Sequence, residues 1–134
     1  MRVTVDSNIL ISIAVFGSKS LGKMLDCICE RYTLVLSSYV VDEITRVVKE
    51  KFPGKAAIMD NLLFKLPYET EFTPRKLPKH DLFQIRDPSD EKVLYSAITA
   101  DVDVLITGDN DFNNLGLERP EILKPADFIT KYLA

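Results

Sequence analysis

Three short apolar runs each end abruptly in polar residues, and their order along the chain constrains the fold more than anything else. Arg2-Val-Thr-Val5 runs into Asp6, Thr33-Leu-Val-Leu36 into Ser37 and Ser38, and Val102 to Ile106 into Thr107-Gly-Asp109. Each is too short for a helix and rich in β-branched residues or leucine, which predicts strands. Glu121-Ile-Leu-Lys124 is a fourth candidate strand.

The intervening stretches carry helical periodicity. Ile9 to Phe16 predicts a buried helix stopped at Gly17, and Ser20 to Tyr32 repeats Leu21, Met24, Leu25 and Ile28 on one face. Ser38 is the expected cap of a helix whose apolar face is Val40, Val41, Ile44, Val47 and Val48. Pro53-Gly54 breaks the pattern, which resumes from Ala56 to Leu66. Pro67 to Ile85 reads as irregular, with prolines at 67, 74 and 78. Asp87-Pro-Ser-Asp90 then opens a helix whose apolar positions are Val93, Leu94, Ala97 and Ile98, and Pro125 starts another with an apolar stripe at Phe128, Ile129, Tyr132 and Leu133. Strands that alternate with helices imply an α/β fold with a mainly parallel central sheet of four or five strands flanked by helices.

Such sheets bind ligands outside the carboxyl ends of their strands. That rule selects five acids. Asp6 ends the first strand, Glu43 lies early in the helix after the second, Asp90 opens the helix before the third, and Asp109 and Asp111 follow the third directly. Each has an ordinary reading as well. Asp6 suits a helix cap, Glu43 a solvent-facing acid near a helix start, Asp90 the third position of an Asp-Pro-x-Asp capping box, and Asp111 a turn. Together they form an acidic edge, and like charges at such range repel. A bound divalent cation relieves that repulsion, and an all-oxygen set suits Mg²⁺ or Mn²⁺. Zinc would want Cys or His, and the chain has one histidine, His80.

Bulk properties exclude other classes. A chain of 134 residues with 46% hydrophobic and 28% charged residues is expected to form one domain, 1–134. Its apolar runs fall far short of the ~20 residues that span a bilayer. Asp6, Ser7 and Asn8 interrupt the first apolar segment as no signal peptide would allow, so the expected location is cytoplasmic with no membrane contact. Cys27 and Cys29 stand two apart in a helical pattern, where side chains do not face each other, and read as core or boundary residues. A net charge of −3 argues against coating nucleic acid by bulk electrostatics and leaves room for a local basic rim. Arg75, Lys76 and Lys79 are the densest short basic cluster, read either as a solvated loop or as RNA-binding.

Four segments in this order, Val5-Asp-Ser-Asn-Ile-Leu10, Ser38 with Glu43, Arg86-Asp-Pro-Ser-Asp-Glu-Lys92 and Ile106-Thr-Gly-Asp109, resemble the PIN (PilT N-terminus-like) domain family. The closing Ile122-Leu-Lys-Pro-Ala-Asp-Phe128 is similar to that family's terminal strand and helix. The resemblance covers essentially the whole chain and is strongest to the toxins, VapC-like, of toxin–antitoxin pairs. It implies a three-layer PIN-like fold and a Mg²⁺- or Mn²⁺-dependent endoribonuclease that cuts single-stranded RNA, leaving 5′-phosphate and 3′-hydroxyl ends. Asp6, Glu43, Asp90 and Asp109 match the acidic quartet, Asn8 and Thr107 its polar supports, and Asp111 is an additional acid. Asp6 and Asp109 are the principal expected metal ligands, with Asp90, Glu43 and Asp111 ligating or orienting water. A cognate antitoxin protein is the implied partner, and a homodimer is allowed. Where the family often ends the helix before the third strand in Gly, this chain has Asp101.

Rival readings fit less well. A haloacid-dehalogenase-like phosphatase needs a second Asp where Asn8 stands, and a receiver domain needs an acid beside Asp6 where Ser7 stands. A catalytically silent binding module of the same fold is the non-enzymatic alternative; acids at all four matching positions argue against it.

Overall fold

The computed structural model describes residues 1–73, 88–109 and 119–134, and side chains for the same residues except 88–91. Five strands form the sheet: β1 (Arg2–Val5), β2 (Thr33–Ser37), β3 (Tyr68–Glu71), β4 (Val104–Ile106) and β5 (Glu121–Leu123). The helices are α1 (Ser7–Ala14), α2 (Lys19–Arg31), α3 (Ser38–Lys51), α4 (Ala56–Lys65), α5 (Pro88–Thr99) and α6 (Pro125–Phe128). A 3₁₀ turn at Pro53–Lys55 separates α3 from α4, and a π-helical segment, Ile129–Leu133, follows α6.

All four strand pairings are parallel, in the order β3-β2-β1-β4-β5. Parallel neighbours demand crossovers, which the helices supply. Pleating divides β2 between two faces. Leu34 and Leu36 join the larger core with Leu10, Ile44, Met59 and Phe128, while Val35 packs with Ala97, Ala100 and Val102 on the other. Helices therefore cover both faces, giving the three-layer α/β architecture.

Most of the expected elements form, with three corrections. The first is β3, which lies inside the stretch read as irregular. Tyr68-Glu-Thr-Glu71 has too little apolar content to signal a strand, and among the described residues it pairs along β2, at the edge of the sheet. Secondly, the cap of α3 is Ser37 and not Ser38: Ser37 Oγ accepts from the Val40 N–H at 3.1 Å. Ser38 is the first helical residue, and its Oγ accepts from the Thr73 N–H at 2.8 Å. Finally, β4 begins at Val104, because Asp101 takes φ 56° and Val102 still closes the preceding helix by donating to Ala97 O. Along α3, Val40, Ile44 and Val48 are buried, while Val41 and Val47 pack on the margin of the core. Cys27 and Cys29 are free and half-buried, as boundary residues.

Chain order fixes where a site can form. From β1 the chain moves outward through β2 to β3, then returns to the other side of β1 as β4 and β5. The reversal opens a crevice between the carboxyl ends of β1 and β4. Register pairs Val5 with Ile106, so the next residues, Asp6 and Thr107, emerge side by side.

Candidate active site

Asp6 sits at this crevice, 7% exposed, and does two things. It caps α1, with Oδ1 accepting from the Ile9 N–H at 3.3 Å. Its other oxygen, Oδ2, accepts the hydroxyl of Thr107, which is itself only 1% exposed. The Asp6 backbone N–H donates to Ile106 O at 3.1 Å, and the Thr107 N–H donates to Leu123 O at 3.0 Å, so ladder bonds fix both residues.

Asp109 joins the same group through Thr107. Its backbone N–H donates to Thr107 Oγ1 at 3.0 Å, and its half-buried carboxylate lies near enough to raise the pKa of Asp6. Burial is the largest cause of that upward shift. The Thr107 hydroxyl and the N–H groups of Ile9 and Asn8 oppose it, and the charge of Asp109 adds to it. The groups that meet this carboxylate are hydroxyl, amide and another acid, with no cation among the described ones. That is the electrostatic setting in which a hard divalent ion is favourable.

Glu43 stands apart, half-buried on α3. Its two oxygens are each held by a hydroxyl: Ser7 Oγ donates to Oε1, and Tyr39 Oη donates to Oε2 at 3.2 Å. Ser7 is buried in the first turn of α1, directly after Asp6, so it links the Glu43 carboxylate to the end of β1. Sequence reasoning assigned no role to Ser7 or Tyr39. Their placement was readable in part, since Ser7 adjoins the strand-end acid and Tyr39 precedes Glu43 by one helical turn.

Asn8 is exposed at the second residue of α1, and its backbone N–H bears on Asp6. Asp90 falls in the first turn of α5, and its side chain lies outside the described residues. Asp111, Arg75, Lys76, Lys79 and His80 also lie outside them. Among the described residues no three His, Cys, Asp or Glu side chains come together as a metal-binding group. Asp6 and Asp109 are thus the two acids the described structure brings together, and their all-oxygen chemistry fits Mg²⁺ or Mn²⁺ in kind. No described helix is long and apolar enough to cross a membrane.

A family model described as PIN domain matches residues 2–111, which contain all the candidate acids. No curated protein matches the sequence. Among solved structures, the chain is similar to one of VapBC2 from Rickettsia felis bound to a DNA fragment from their promoter. That match has a TM-score of 0.71 at 18% identity and covers 92% of this chain and 98% of the other, a likeness of fold.

Proposed function

The chain belongs to the PIN-domain family, and within it we propose a single nuclease domain, residues 1–134, that cleaves single-stranded RNA with Mg²⁺ or Mn²⁺. The observation that carries this reading is the pairing of buried Asp6 with Asp109 through Thr107 at the crevice between β1 and β4. We further propose that it is the toxin of a toxin–antitoxin pair acting in the cytoplasm, with a cognate antitoxin protein as partner.

Asp6 and Asp109, with Asp90 of α5 and Asp111, two positions after Asp109 in the sequence, would hold the ion. Once bound, a divalent cation lowers the pKa of water and offsets phosphate charge, the usual basis of metal-assisted phosphodiester hydrolysis. Burial pushes the Asp6 carboxyl above its ordinary pKa, and the hydroxyl that Thr107 donates to it opposes that shift in favour of the ionised form. Glu43, clasped by Ser7 and Tyr39, acts from outside the Asp6–Asp109 pair by orienting groups around it. Arg75, Lys76 and Lys79 are proposed to hold the RNA backbone. Such contacts supply affinity and salt dependence without reading sequence.

The test is direct. Purified protein incubated with single-stranded RNA should cut it with Mg²⁺ or Mn²⁺ and stop when EDTA is added. Cleavage that persists after exhaustive metal removal, verified by elemental analysis, would overturn the reading.

A further inference from the structure

Tyr39 is the second residue of α3 and contacts two charged groups at once. Its hydroxyl donates to Glu43 Oε2 at 3.2 Å, one turn along the same helix. Its ring lies under the ammonium of Lys92 from α5, with Nζ 5.2 Å from the ring centroid. The backbone of Tyr39 is fixed as well, since its N–H donates to Thr73 Oγ1 at 3.4 Å and that hydroxyl bonds Ser96 Oγ of α5 at 2.7 Å. The start of α3 is therefore joined to α5 twice, once to Lys92 through Tyr39's ring and once to Ser96 through Thr73.

A tyrosine carries separate polar and π chemistry on one rigid group. The hydroxyl satisfies a carboxylate oxygen, which fixes the acid's rotamer. The ring face attracts an ammonium without cancelling its charge, unlike a carboxylate partner. The contact holds Lys92 on the helix whose first turn carries Asp90. A cation held in that way, beside an acidic group, is suited to meet a phosphate of the substrate backbone.

We propose that Tyr39 is a positioning residue of this site, holding Glu43 through its hydroxyl and Lys92 through its ring, with Lys92 contacting an RNA backbone phosphate. The inference rests on the nuclease reading above and adds residues that reading does not require. It separates two effects that a merely structural tyrosine would mix.

Three variants of the full chain make the test: Tyr39→Phe, Tyr39→Ala and Lys92→Gln. Mn²⁺ affinity is measured by calorimetry, and affinity for a labelled single-stranded RNA is measured in EDTA at several salt concentrations. Thermal melts check the fold. Tyr39→Phe should lower Mn²⁺ affinity or the cleavage rate by about 10–100-fold and leave the salt slope of RNA binding unchanged. Lys92→Gln should reduce that slope by about 0.7, one single-strand phosphate contact, and leave Mn²⁺ affinity unchanged. Tyr39→Ala should show both losses; if it unfolds, the other two variants still decide. Tyr39→Phe matching the wild type in both metal affinity and rate, or Lys92→Gln retaining the full slope, overturns the inference alone. A wild-type chain that binds neither Mn²⁺ nor RNA overturns the nuclease reading and this inference with it.

Discussion

Thr107 and Asp6, 101 residues apart in the chain, share a hydrogen bond in which the Thr107 hydroxyl donates to Asp6 Oδ2. The same oxygen of Thr107 accepts the Asp109 N–H at 3.0 Å. One hydroxyl thus uses its donor and an acceptor site to tie together the ends of two strands and both candidate ligands. A threonine is suited to this place because it ends a buried strand and its hydroxyl faces both acids.

Thr107→Val keeps the shape and removes the hydroxyl. It leaves a nearly buried carboxylate short of a donor, at a cost of about 1.5–3 kcal/mol for a hydrogen bond to a charged group. Thr107→Ser keeps the hydroxyl and should lose much less. Denaturant titration in metal-free buffer measures both; equal losses for the two variants would mean that the methyl group, and not the hydroxyl, matters here.

Asp6 is both helix cap and candidate ligand, so the two readings left open by its sequence position are not exclusive. Asn caps helices about as well as Asp, and Asp6→Asn also removes a desolvated charge near Asp109. We expect Asp6→Asn to be as stable as the wild type or slightly more so without metal, and to be inactive on RNA. Asp6→Ala should lose the cap as well, at about 0.5–2 kcal/mol. A large stability loss in Asp6→Asn would show that the ionised carboxylate is needed for folding, contrary to its raised pKa.

What the sequence revealed, and what it hid, follows from where each signal resides. β1, β2 and β4 are buried at the centre of the sheet, so their apolar runs announced them, and with them the strand-end acids Asp6 and Asp109. β3 is an edge strand of Tyr, Glu and Thr held by backbone pairing, which leaves little trace in side-chain pattern. Ser37 and Ser38 are interchangeable as caps on paper; only the register of β2 against β3 decides that Ser38 faces Thr73. Likewise, the contact of Tyr39 with Lys92 joins helices 53 positions apart, and no local spacing encodes it.

Asp101 has φ 56°, the left-handed region that favours glycine, at the end of α5 where the family often has Gly. Its carboxylate pairs with Arg119 at 3.1 Å on an exposed surface, an interaction of small worth. Asp tolerates this conformation better than most residues, and a β-branched side chain tolerates it least. Asp101→Gly should change stability by less than about 1 kcal/mol, whereas Asp101→Val should cost about 1–2 kcal/mol. Thermal or chemical melts rank the two, and a Val variant as stable as Gly would contradict the backbone argument.

Stability in acid should depend on two carboxylates far from the candidate site. The Arg2 backbone N–H, with the guanidinium of Arg119 assisting, holds Asp103 below its ordinary pKa; Lys131 and the Tyr132 hydroxyl do the same for Glu121. A carboxyl whose pKa is lower in the folded chain contributes stability that is full above its unfolded value, 3.8 for Asp103 and 4.5 for Glu121. That contribution is lost as pH falls through the depressed folded value, because the unfolded chain then binds more protons. Replacing both, as Asp103→Asn with Glu121→Gln, should lower stability at neutral pH and flatten its decline on acidification. The fall between neutral pH and about pH 3 is the quantity to measure, by denaturant titration at each pH. A double variant that declines as steeply as the wild type would place the acid-sensitive groups elsewhere in the chain.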